Sequence, residues 1–286
     1  MRPLSSRAQR GDLALGLATR LLARLRDRFT PRNGPSVDRL VDWRRISKAV
    51  AVFILTLAAG RAIAATFTVN STTDAVDANP GNGVCATSAA VCTLRAAIQE
   101  ANALAGADTI NLPAGTYTLT RTGAGEDAGS TGDLDVTQNL TINGADARTT
   151  IIRAGTNTSN GIDRVLDARG SANLTISGTT IRFGNVSGGG GGISNGTGTL
   201  TLTDVAINSN TSSGNGGGIY NQNGTLTLSR VTINGNTASS AGGGIYNDNS
   251  GNVTLTNVTL SGNTTNGNGG AVYNSNGTVT LTNVTI

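Results

Sequence analysis

The chain has 286 residues, 40 of them Gly, with 3% aromatic and 13% charged side chains. That is too little charge for a disordered acidic or basic tail, and a 37% apolar fraction suits a thin, regular core better than a large globular one. The net charge of +4 divides into +9 on residues 1–64 and −5 on residues 65–286, so the later part offers no basic patch and no nucleic-acid partner is expected.

Residues 1–64 read as a leader. Leu13 to Phe29 reads as an overlong n-region or as sequence ahead of a start codon placed too far upstream, in preference to a basic amphipathic membrane helix. Arg44-Arg45 suggests a twin-arginine signal, but Ser47 stands where that signal has an apolar residue, which favours general secretion. Arg44, Arg45 and Lys48, the apolar run 49–59 and the small-x-small site Ala62-Ile63-Ala64 follow in the order of a signal peptide. The run is short for a membrane span, which takes roughly 20 residues; an uncleaved anchor is the alternative.

Residues 65–112 read as an N-terminal cap. A first strand is expected at 66–70. Cys85 and Cys92 are the only cysteines, and an even pair in an exported chain predicts a disulfide. With no His in the chain a zinc site is disfavoured, and the spacing is not that of a C-x-x-C redox pair. Residues 94–104 place Leu94, Ala97, Ile98 and Ala101 on one face, which predicts an amphipathic helix with Thr93 as its N-cap. Such a helix covers the open end of a solenoid and protects its edge.

Cys92-Thr93-Leu94-Arg95-Ala96-Ala97, together with Asp108 to Leu119, Gly132 to Val136 and Leu140-Thr-Ile142, resembles the bacterial CSLREA domain over residues 66–145. Thr93 and Ala96 replace the Ser and Glu of the namesake motif.

Residues 113–286 read as repeats. Gly-Gly-Gly-Ile-Tyr-Asn occurs at 216–221 and 242–247, with looser copies at 190–195 and 269–274. Its apolar centres, Ile193, Ile219, Ile245 and Val272, are spaced by 26, 26 and 27 residues. Three further apolar columns keep that register: Ile176 to Leu281, Val205 to Val284, and Ile181 to Ile286. Within each repeat apolar and polar residues alternate, which predicts about three short strands separated by Gly and Asn corners. The expected fold is all-β: a right-handed parallel β-helix of about 26 residues per coil, with a short N-terminal capping helix. The repeats also resemble those of polymorphic outer-membrane proteins. Both resemblances imply bacterial surface or secreted β-helices, often within long adhesin-like chains, and imply no agreed catalytic activity.

Two kinds of polar column accompany the core. Asn195, Asn221, Asn247 and Asn274 read as a structural ladder, with a polar ligand stripe as the alternative. Tyr220, Tyr246 and Tyr273 read as a stacked aromatic ladder, with a sugar-binding row as the alternative.

Polysaccharide-cleaving sites need clustered acids or an acid-bound cation with a base. From residue 183 onward the only charged residues are Asp204, Arg230 and Asp248. No catalytic residue, cofactor or resident metal is therefore assigned; the single acid cluster, Glu126, Asp127, Asp133 and Asp135, reads as a solvated loop of turn-forming acids, with calcium binding as the alternative. The expected function is a secreted or surface β-helical, adhesin-like protein without catalysis in this segment, meeting host or environmental glycans or surface proteins. It meets a membrane only through export or an anchor in a missing C-terminal part. The alternative is the N-terminal part of a polysaccharide-active lyase or glycosidase. Repeats that stop at Ile286 without a capping segment predict a fragment of a longer protein.

Overall fold

The computed structural model describes residues 63–286. The signal peptide up to Ala62, the twin-arginine pair and the 13–29 segment lie outside these residues. The chain forms a parallel β-solenoid with one short helix among the described residues.

Every strand pairs in parallel with its equivalent one coil away. Along one column Ile110 pairs with Ile142, Ile142 with Ile176, Ile176 with Leu202, Leu202 with Leu228, Leu228 with Leu255 and Leu255 with Leu281. The coils are thus 32 and 34 residues long at first, then 26, 26, 27 and 26. Each regular coil buries about five aliphatics, such as Leu226, Leu228, Val231, Ile233 and Ile245. One coil alone cannot offset the entropy of ordering its backbone, so the coils hold only as a stack.

Between residues 174 and 248 each coil contains four strands, against the about three expected. In one turn these are Ile219–Gln222, Thr225–Ser229, Thr232–Asn234 and Thr237–Ala238. The fourth was not expected because it is two residues long and has no apolar alternation. Its register is held by backbone pairing and by Ala238, which is buried.

Left-handed corners bend the coil. Asp204 and Arg230 take φ of 55° and 54° at the turn between the second and third strands, and Asn257 and Asn283 take φ of 55° and 52° at the equivalent positions inside the longer strands Asn252–Ser261 and Thr278–Thr285. Asp204 and Arg230 also form an exposed ion pair across coils at 2.7 Å. At Gly217 the constraint is space: a Cβ there falls 2.5 Å from the carbonyl oxygens of Thr237 and Gly243. Only glycine lets the backbone pass.

Helix α1, Leu94–Ala103, closes the N-terminal end against the strands Asp108–Leu112 and Leu134–Val136. The Thr93 hydroxyl accepts the Ala96 N–H, as an N-cap does. Cys85 and Cys92 are disulfide-bonded just before it. Two buried charges fasten the helix. Arg95, 1% exposed, pairs with Asp74 at 2.6 Å and donates to the carbonyls of Gly129, Gly132 and Asp133. Glu100 accepts the backbone N–H groups of Gly81 and Gly83.

Candidate functional site

The six-stranded face that carries the Gly-Ile-Tyr strands sets one outward row in exact sequence of coils. Its members are Asp135, Asp167, Ser194, Tyr220, Tyr246 and Tyr273, each the register partner of the next. Parallel strands lie about 4.8 Å apart, so this row is a continuous strip along the solenoid. It begins acidic and ends aromatic.

At the acidic end, carboxylate oxygens of Asp133, Asp135 and Asp167 lie within 4.8 Å of one another. Asp133 and Asp135 are buried, and two arginines hold the group together. Arg164 places Nη1 3.2 Å from Asp167, and its Nε lies 3.2 Å from Asp133 as an ion pair without hydrogen-bond alignment. Arg169 reaches Asp127 at 2.9 Å, Asp167 at 3.1 Å and Asp135 at 3.5 Å. Burial pushes the Asp133 carboxyl up to about 8, helped by Asp135 and Asp163 and opposed by Arg164. Burial and Asp167 push Asp135 up to about 6, against Arg169 and the Gly129 N–H.

The four calcium candidates are divided by this arrangement. Asp133 and Asp135 enter the cluster. Asp127 is exposed and pairs with Arg169. Glu126 turns back on its own loop and accepts the N–H groups of Ala128, Ser130 and Thr131. Burial raises its pKa, but these donors outweigh burial and hold it below the usual range. The residues with the geometry to hold a cation are therefore Asp133, Asp135 and Asp167, and a cation there competes with Arg164 and Arg169 for the same oxygens. Asp167, Arg164 and Arg169 went unassigned on sequence alone. A local signal existed: Leu134-Asp-Val136 and Leu166-Asp-Ala168 share one pattern.

At the aromatic end the tyrosines stack, with ring centroids 5.5 Å apart for Tyr220 and Tyr246 and 5.2 Å for Tyr246 and Tyr273. The Tyr220 hydroxyl donates to Asp248 at 2.8 Å, which fixes that ring.

Between the two ends the ladder has a gap. Ser194 stands where the following coils carry Tyr, and an open cleft of about 310 Å³ lies there. It is lined by Arg164, Asp167, Arg169, Ser194, Tyr220 and Gln222. Tyr220 and Asp167 are two coils apart, about 9–10 Å. That leaves room for one ring against Tyr220 with polar groups opposite. Gly189 lies at the base of the Tyr220 ring, where a Cβ would come within 3.0 Å of Cγ.

Beneath this face run two amide chains, buried except at their last members, Asn274 and Asn263. Asn195 donates to Asn221, Asn221 to Asn247 and Asn247 to Asn274, each at 2.7 Å. Asn221, Asn247 and Asn274 also donate to the carbonyls of Gly224, Gly251 and Gly277. Asn210 and Asn236 donate to Asn236 and Asn263 at 2.9 Å in a second chain. These side chains are occupied with one another and face the core, so the ligand-facing groups are those of the outer row.

Residues 204–222, 230–248 and 257–275 match the Chlamydia polymorphic membrane protein repeat. Each matched segment starts at a left-handed residue and ends at, or one residue past, the end of a tyrosine strand, so the similarity covers the regular coils and not the acidic end. No curated protein and no solved structure matches the chain.

Proposed function

We propose that the chain is an exported, surface-displayed β-solenoid of adhesin-like character, whose outer face binds glycans without cleaving them. The similarity to a polymorphic membrane protein repeat supports display at the cell surface. The small-x-small site before residue 65 supports export. The resemblance to the CSLREA domain agrees with both.

The observation that carries the binding proposal is the gap at Ser194. A pyranose fits a slot with an aromatic wall on one side and planar charged groups on the other: its C–H face packs on Tyr220, and its hydroxyls exchange hydrogen bonds with Asp167, Arg169, Ser194 and Gln222. Both slot arginines are already ion-paired, Arg164 with Asp167 and Arg169 with Asp127 and Asp167, so an uncharged sugar is favoured over a uronate or sialate. The slot's own charges are ion-paired, and Asp133 is buried, which supports binding over acid–base chemistry.

The test is a binding screen of the exported protein against neutral and carboxylated oligosaccharides, with product analysis on the same samples. Neutral glycans bound and recovered intact is the expected result. Shortened or unsaturated products would instead support a polysaccharide-active enzyme, for which the raised and unequal Asp133 and Asp135 are the natural acids. Binding to none of the sugars overturns the proposal.

A further inference from the structure

The start of the first coil holds a carboxylate with more capacity than its partner uses. Asp108 is 1% exposed. Its Oδ1 accepts the backbone N–H of Ala65 at 2.7 Å. Its Oδ2 is buried and receives no hydrogen bond, and no cation pairs with it among the described residues. A single N–H calls for one neutral acceptor; a buried carboxylate calls for a positive charge and several donors. Ala65 is otherwise well held: its carbonyl accepts from Thr109 at 2.8 Å, and Thr66 begins the first strand. Ile63, two residues upstream, is 76% exposed.

We propose that the chain is processed at the Ala64–Ala65 bond and that Asp108 is the receptor for the new N-terminus. Ala62-Ile63-Ala64 supplies the small residues that an export peptidase recognises. Hydrolysis adds one water across the bond: Ala64 leaves with a carboxylate, and Ala65 keeps an amine that takes up a proton at neutral pH. One N–H donor becomes an ammonium with three donors and a unit charge. It meets the buried carboxylate directly, and the additional donors reach Oδ2. The first coil thus becomes fully satisfied only after processing, which couples export to a finished solenoid end.

The chain allows a clean test because Lys48 is its only lysine. A product starting at Ala65 has a single primary amine. The full chain is exported from a bacterial host, sequenced from its N-terminus and treated, folded, with an amine-reactive ester. The expected product starts at Ala65. Pairing with Asp108 holds its amine protonated, and each unit of raised pKa lowers the free amine about tenfold. Labelling is therefore expected to be about tenfold slower, or more, than in Asp108→Asn. A second variant with one Gly inserted between residues 64 and 65 keeps the Ala65 N–H on Asp108 and moves the amine outward; it folds and labels fast. If Asp108→Asn does not fold, this variant decides alone. A product that starts elsewhere, or equal labelling of the wild type and the insertion variant, overturns the proposal.

Discussion

Between residues 65 and 182 the chain carries eighteen charged side chains; between 183 and 286 it carries three. Both stretches wind the same solenoid. The first does so with coils of irregular length, a helix, a disulfide and buried ion pairs. The second repeats one coil, and its buried polar groups are neutral, five amides in register and the Ser212 hydroxyl. The difference follows from the neighbours available. A repeating coil sees the same residue above and below, so an amide that both donates and accepts can satisfy itself indefinitely, whereas a charge would face its like. The irregular coils escape this, and opposite charges meet there. The slot lies where the two styles join, with Arg164, Asp167 and Arg169 from one and Tyr220 from the other.

The comparison can be broken most sharply at Arg95. Arg95→Ala leaves Asp74 and three carbonyls without their buried partner, with an expected cost of about 3–5 kcal/mol. Because coils couple mainly to neighbours, hydrogen exchange should show the loss confined to the cap and the first coils, with Asn221 and Asn247 still protected. Uniform loss along the solenoid would mean that the two stretches form one cooperative unit. Asn221→Ala is the matching change in the regular coils. It strands Asn247 Oδ1 and the Gly224 carbonyl and weakens the hold on Asn195, at about 2–3 kcal/mol in a denaturant titration. A negligible change would show that the amide chain contributes nothing beyond its surroundings.

A smaller effect separates the acidic end. Asp133 and Asp135 have raised pKa values, so the folded state binds more protons than the unfolded one between the ordinary carboxylate range and about 8. Stability is therefore expected to fall as pH rises from about 4 to 8. Asp133→Asn should flatten that fall; an unchanged profile would place the titration elsewhere.

The regular coils were legible in the sequence because Ile193, Ile219, Ile245 and Val272 keep an almost constant spacing. The helix was legible because one apolar face follows a good N-cap. The acid–arginine cluster was not, because Asp135 meets Asp167 at an offset of 32 residues, outside the 26-residue register, after loops of different length. The fourth strand was hidden by its lack of alternation. Ser194 looked like an imprecise copy of Tyr; only stacking shows that a missing ring opens a space between Asp167 and Tyr220.

Ser194→Tyr is the most direct test of that space. The substitution continues the tyrosine ladder into the slot at a solvent-facing position that already pairs with Tyr220. Titrated with a neutral oligosaccharide that the wild type binds, the variant should keep the wild-type melting temperature and lose binding by about tenfold or more, roughly 1.4 kcal/mol. Undiminished binding by a folded Ser194→Tyr protein would contradict the assignment of the slot.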